Sequence, residues 1–228
     1  MYKYVPEIIP VASSVNVPNV TFVFAESDTI TVTTVNATNI KAEVVDHSEA
    51  IIDIHNVSDD EYEVTVSGLN ASTYTLKVTT ITDDNHASNT NTSNVTVTKA
   101  SSSVSVSDVE FYYLGSDVSK ATTVNATGII AEVDGHPEAN VVVNGYEVTV
   151  SGLDAGSYTL SVTTVPDDNH SPATATADVV VKAIPTSIKF NEDLVIIGNT
   201  LTFNTVNITN GQTVTLKSNN RNYSGTVT

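Results

Sequence analysis

A chain of 228 residues with 26 acidic and only nine basic side chains carries a formal net charge of −17. Nucleic acid and anionic membrane surfaces are repelled over most of such a molecule, and no basic patch offsets the repulsion. Cysteine is absent, so burial alone must hold the fold, and no run of about twenty apolar residues is present to span a bilayer. Ser and Thr supply about a quarter of the residues, and Leu, Glu, Lys and Arg are scarce beside Val. That composition favours strands over long helices.

Residues 1–15, MYKYVPEIIPVASSV, combine two prolines and a serine pair with no sustained period, and are expected to be a leader or linker. They lack an apolar h-region and do not read as a signal peptide, so a secretion signal would lie outside this piece. A first domain is expected over residues 16–100. VTFVF (20–24) reads as its first strand, ended by Glu26-Ser27-Asp28. In TITVTTV, Ile30 and Val32 alternate with threonines. In IKAEVV, Ile40, Ala42 and Val44 face in while Lys41 and Glu43 face out. IIDIH, YEVTVS, YTLKVTT and the run holding Val95 and Val97 follow, giving seven short strands with period 2, the pattern of a two-sheet sandwich.

A second domain is expected over residues 101–183. TTVNATGIIAEVDGHPEA (122–139) matches TTVNATNIKAEVVDHSEA (33–50). The length difference between the copies is absorbed in the next connection, where HNVSDDE in the first copy is replaced by Asn144-Gly145 in the second. Asn-Gly between alternating runs predicts a tight type I′ hairpin. From residue 184 to 228 the chain is again β-patterned (TSIKF, LVIIG, TLTFNTVNIT, QTVTLK, YSGTVT), too short for a complete sandwich. It is expected to be an incomplete third β domain, which makes the chain a piece of something longer.

The stretch that organises these domains is YEVTVSGLDAGSYTLSVTTVPDDNH (146–170), which occurs almost unchanged as YEVTVSGLNASTYTLKVTTITDDNH (62–86), about 84 residues earlier. In each copy two alternating runs flank a Ser-Gly-Leu turn and a tyrosine opens the second run. The Leu-x-x-x-x-Tyr spacing, Leu69 to Tyr74 and Leu153 to Tyr158, resembles the tyrosine corner of immunoglobulin-like and fibronectin type III domains. The resemblance implies that Tyr74 and Tyr158 are structural, each ring packing under the corner while its hydroxyl bonds back to upstream backbone. The fold class is therefore all-β, with tandem immunoglobulin-like or fibronectin-III-like sandwiches. Antibody-type domains are excluded, because no tryptophan or cysteine is available to fill their core.

The phrases VTVSGLDAGSYTLSVTTVPDDNH and TATADVVVKA together resemble the Ig-like repeats of adhesin-like surface proteins from methanogenic archaea, and related bacterial Ig-like arrays. The resemblance covers residues 16–183 and implies an extracellular, cell-surface protein whose repeats act mainly as a stalk, with the anchor outside this piece. The partner implied is a host or microbial surface glycan or protein. Direct binding of such a ligand by the repeats, or an accessory role beside a secreted hydrolase, are the alternatives.

Chemistry-bearing residues are few. Asp-Asp-Asn-His recurs at 83–86 and 167–170, in the loop joining the last two strands, where Asp and Asn readily bond to their own backbone as a polar turn. Their oxygens also suit Ca²⁺, which takes six to eight ligands, more than one tetrad supplies. A full set would need Asp167, Asp168 and Asn169 of the second copy facing Glu26, Asp28, Asp46 and Glu49 of the first. A cation there would relieve repulsion and stiffen the array. No Ser nucleophile lies beside a histidine with an orienting acid, and zinc-type His or Cys spacing is missing, so no enzymatic activity and no resident cofactor other than this Ca²⁺ is expected. Tyr62, Tyr74, Tyr146 and Tyr158 are expected to point inward, and one ring of the Tyr112-Tyr113 pair outward. Lys99 and Lys182, each followed by Ala, read as matching exits from the last strand.

Overall fold

The computed structural model describes residues 9–189, 204–206, 208, 211–218 and 221–226, and every regular element among them is a β-strand. In the first copy these are β1 (Val11–Ala12), β2 (Ser14–Asn16), β3 (Val20–Val23), β4 (Ser27–Val35), β5 (Asn39–Val44), β6 (Ile51–Ser58), β7 (Glu61–Ser67), β8 (Ser72–Ile81), β9 (His86–Ala87) and β10 (Thr90–Thr98). Two four-stranded sheets face each other, ordered β2-β4-β7-β6 and β3-β10-β8-β5. Alternation decides which side chains meet between them: Val20, Val32, Tyr62, Val64, Val66, Leu76, Val78 and Val95 are fully buried, while the threonines between them face water.

The edge where the chain enters differs from the reading of residues 1–15 as a leader. Ser14–Asn16 is a strand that pairs antiparallel with β4, and Val15 belongs to the core. The chain then crosses to the other sheet, where β3 pairs parallel with β10. Between the two lies Val17-Pro18-Asn19. Pro18 has no N–H to give a ladder, so a strand cannot run through it in one sheet, and the crossing falls there.

The second copy repeats this order. Its strands are β11 (Ala100–Ser101), β12 (Ser103–Val106), β13 (Val109–Tyr112), β14 (Ser116–Val124), β15 (Ile129–Val133), β16 (Asn140–Asn144), β17 (Glu147–Ser151), β18 (Gly156–Thr164), β19 (His170–Ser171) and β20 (Thr174–Lys182). The sheets run β12-β14-β17-β16 and β13-β20-β18-β15, strand for strand the arrangement of the first copy. The core is leaner: where the first copy buries Ile30 and Val32, the second buries Ser119 and Ala121. The Ser119 hydroxyl donates to the Ser107 carbonyl, so the polar substitution is satisfied.

The hairpin that differs in length also differs in turn type from the expectation. Asn144 pairs with Glu147, which leaves Gly145 and Tyr146 as the two central residues. Only Gly145 has a positive φ, +62°, the sign pattern of a type II′ turn and not of I′. Tyr146 is consequently carried on the turn, 40% exposed, whereas its counterpart Tyr62 lies inside β7 and is fully buried. The expectation that both point inward fails at Tyr146, because shortening the hairpin moves that position out of the strand. In the first copy β6 and β7 extend further and carry a bulge at Asn56–Ser58. Tyr112 and Tyr113 are both exposed, since Phe111 takes the inward position and Tyr113 lies past the strand end.

Beyond Lys182, Ser187–Lys189 pairs antiparallel with Asn204–Val206, and Thr213–Ser218 with Arg221–Thr226. The predicted run LVIIG (194–198) and the start of TLTFNTVNIT lie outside the described residues. By compactness the chain divides into two units. The first gathers the described residues up to Ser105 with Ala121–Ile130 and Val162–Ala175; the second holds Val106–Lys120, Ala131–Ser161 and the described residues from Thr176 onward. The second Asp-Asp-Asn-His turn thus belongs to the first unit.

Candidate functional site

Each Asp-Asp-Asn-His turn is built by its first aspartate. Asp167 Oδ1 accepts the backbone N–H of Asn169 at 2.8 Å and of His170 at 2.7 Å, and the His170 ring nitrogen Nδ1 lies 2.9 Å from it. Asp83 Oδ1 accepts the Asn85 N–H at 2.9 Å and lies 2.7 Å from His86 Nδ1. The histidine contact comes first among the causes that hold both carboxyls below the usual aspartate value, with the backbone N–H groups adding to it. This is the polar-turn chemistry that the tetrads suggest.

The second turn does more. Asn169 Oδ1 accepts the Ala71 N–H at 2.8 Å, and its Nδ2 donates to Asn70 Oδ1 at 3.1 Å. Lys99 Nζ donates to the Asp167 carbonyl at 2.6 Å, and the Phe24 ring meets the His170 ring edge-on at 5.4 Å. The Ala100 N–H donates to the Asn169 carbonyl at 2.9 Å, opening the short parallel pair β11–β19. Asn70 and Ala71 belong to the Ser-Gly-Leu turn, which the tyrosine corner shapes: Tyr74 Oη donates to the Asn70 carbonyl at 2.8 Å, as Tyr158 Oη does to the Asp154 carbonyl at 2.9 Å. Within the first unit, therefore, the tetrad of the second sequence copy is fastened to the organising turn of the first.

The residues expected to hold calcium are distributed as follows. Asp167, Asp168 and Asn169 share the one turn, but Asn169 spends both side-chain amide atoms on Asn70 and Ala71. Asp28 spends both carboxylate oxygens on backbone, accepting from Thr21 at 3.0 Å and Thr29 at 2.9 Å, which pins β3 to β4. Asp117 repeats that arrangement with Glu110 and Val118. Glu49 Oε1 lies 2.7 Å from His47 Nδ1, and Glu26 sits exposed in the β3–β4 turn. Asp46 occupies the left-handed region at φ +62°, where the second copy has Gly135 at +73°. Among the described residues no group of three or more His, Asp or Glu is placed to hold a metal ion.

A second recurring arrangement lies where β5 ends and β6 begins. His47 stands edge-on to Tyr74 at 4.6 Å and His136 to Tyr158 at 4.7 Å, each histidine paired with a glutamate, Glu49 or Glu138, at 2.7 Å. That pairing, first among the causes, lowers both glutamate pKa values. Beside each is an open groove, about 550 Å³ next to His47 and about 260 Å³ next to His136. In the first sandwich, β5 pairs Asn39 with Ile81 and Val44 with Leu76, so His47 and the Asp83–His86 turn lie at opposite ends of the sheet.

Sequence reasoning missed Lys99, Phe24, Asn70 and Ala71 as partners of the second tetrad. Each is local turn or strand chemistry in its own segment, and the separation of 98 residues between Ala71 and Asn169 leaves no periodic signal. Lys99 and Lys182 also fail to match: β20 places Lys182 opposite Tyr112 as β10 places Thr98 opposite Val23, and Lys182 pairs with Glu110.

No protein-family model matches the chain, and no curated protein matches it. Several solved structures do. Titin domains Z1Z2 in complex with telethonin are 13% identical with a TM-score of 0.44, covering 78% of this chain and 100% of that one. The fibronectin(III)-like modules of CbhA from Clostridium thermocellum are 16% identical with a TM-score of 0.31, over 75% and 94%. Domains 4 and 5 of the S-layer protein SbsC are 17% identical with a TM-score of 0.31, over 67% and 82%. These are likenesses; the two-sheet, all-β fold rests on the strand pairing of the chain itself.

Proposed function

We propose that this chain is a non-catalytic structural segment of an extracellular, cell-surface stalk, of the adhesin-like kind built from tandem Ig-like repeats. The observation that carries the reading is the way each sandwich ties its two ends. Near its entry β3 pairs parallel with the last strand, Val20–Val23 against Val95–Thr98 of β10, and β13 pairs likewise with β20. A pull on the two ends of a parallel pair runs along the strands, so the ladder bonds are sheared together and cannot open one at a time. The acidic, Thr-rich outer faces suit a repeated β-protein that must not stick to its neighbours by its edges.

Single-molecule pulling on the full chain tests this. Two unfolding steps are expected, each releasing roughly 28 nm of chain, the extended length of about 84 residues at ~3.4 Å each, and each at a force well above that of a hairpin peeled from its end. Unfolding at peeling forces removes the mechanical reading. Saturable binding of the chain to surface glycans or cells would favour direct ligand binding, for which the grooves beside His47 and His136 are the sites to mutate.

A further inference from the structure

The first copy carries the same fastening turn as the second, with its fastening group unused. Val11 N–H donates to the Asn85 carbonyl at 2.8 Å as Ala100 N–H does to the Asn169 carbonyl at 2.9 Å, and Val11 pairs with His86 as Ala100 pairs with His170. Asp83 shapes both backbone and histidine as Asp167 does. Asn169 is half-buried, with both amide atoms bonded; Asn85 is exposed, and its side chain has no partner among the described residues. The complementary half recurs too. The second Ser-Gly-Leu turn is held by Tyr158 as the first is by Tyr74, yet Ala155 is exposed and its N–H is unpartnered among the described residues, where Ala71 is half-buried and bonded to Asn169. Tyr113, exposed, stands where Phe24 covers His170.

We propose that the Asp83–His86 turn is a docking surface for the Ser-Gly-Leu-Asp-Ala turn of a second copy of this chain, Asn85 Oδ1 accepting the Ala155 N–H head to tail. The partner is identified by chemistry: a neutral, turn-constrained backbone N–H and an exposed aromatic ring, the counterparts of Ala71, which pairs with Asn169, and of Phe24, which meets His170. Because the two surfaces differ, the contact is heterologous and joins copies head to tail. A docking atom that is a neutral amide also suits a chain of net charge −17, which opposes any contact made through its carboxylates. The inference rests on the tandem-repeat reading, but its test is independent of the pulling experiment.

The chain contains no cysteine, so introduced pairs report cleanly. Full-length Asn85→Cys/Ala155→Cys under mild oxidation is expected to give a ladder of dimers, trimers and longer species at least about tenfold faster than Val45→Cys/Ala155→Cys, in which Val45 is an exposed site at the opposite end of the sheet from the turn. Asn169→Cys/Ala71→Cys, closing within one chain, checks that this geometry can be oxidised. In parallel, the Asn85 side-chain amide resonances of the cysteine-free chain are expected to move with protein concentration, and to stop moving in Ala155→Pro, which removes the donor. No concentration dependence at Asn85, with a ladder no faster than the control, overturns the docking surface and leaves the stalk reading standing. Movement that survives Ala155→Pro overturns the assigned partner.

Discussion

Tyr62 buries its whole side chain in the first sandwich, yet its hydroxyl meets no hydrogen-bond partner among the described residues. Burial, reinforced by Asp60 and Asp59, raises its pKa, as expected for a phenol kept from water. Removing an unsatisfied buried hydroxyl recovers its desolvation cost, so Tyr62→Phe is expected to stabilise the chain by up to about 1 kcal/mol. Tyr74→Phe is expected to act in the opposite sense, losing about 1 kcal/mol with the bond to Asn70. Urea midpoints at unchanged slope measure both. The tetrad aspartates give a pH dependence. Asp83 and Asp167 have their folded pKa values lowered from an ordinary 3.8, chiefly by His86 and His170, so the unfolded chain takes up these protons first. Their stabilisation is complete above that ordinary value and is lost as pH falls through the lowered folded value. Asp83→Asn/Asp167→Asn is expected to lower the melting temperature at neutral pH and to flatten its fall below about pH 4, where the parent chain has lost the same stabilisation.

At the scale of elements, two glycine turns separate backbone strain from packing. Gly145 has φ +62°, and a Cβ added there would meet nothing within 4 Å, so Gly145→Ala carries only the left-handed backbone cost. That cost is about 1–3 kcal/mol. Gly68 has φ +78° and would bring its Cβ to 3.2 Å from Ile51 Cγ1, so Gly68→Ala is expected to lose more. Urea midpoints of the two variants compare them directly. The two sandwiches also differ in core volume, Ile30 and Val32 in one against Ser119 and Ala121 in the other. Less apolar area leaves water on folding of the second. Its β17 and β18 amides are expected to exchange faster than those of β7 and β8 by native-state hydrogen exchange.

For the whole molecule, a net charge of −17 stores repulsion that salt screens. The melting temperature is expected to rise between about 0.01 and 0.15 M NaCl. CaCl₂ at matched ionic strength is expected to add nothing further, because Asn169 and Asp28 already spend their oxygens on backbone donors. A calcium-specific rise would instead favour a cation bridging Asp167 and Asp168 to Glu26, Asp46 and Glu49.

Strand existence and the inward positions were legible in the sequence because alternation has a period of two and each copy checks the other. Val64, Val66, Leu76 and Val78 show this, as do Val148, Val150, Leu160 and Val162. The tyrosine corner was equally local, since its bond spans four residues. What the tertiary structure decided was everything set by register or by contacts distant in sequence. The II′ turn depends on Asn144 pairing with Glu147, and it turned Tyr146 from a core position into an exposed one. The pairing of β2 with one sheet and β3 with the other gave residues 11–16 a structural place that their composition did not announce. The role of Asn169 depends on Ala71, 98 residues away. Periodicity records which face of a strand meets the core; it carries no record of which loop lies across from which, because that is settled only when the strands have chosen their partners.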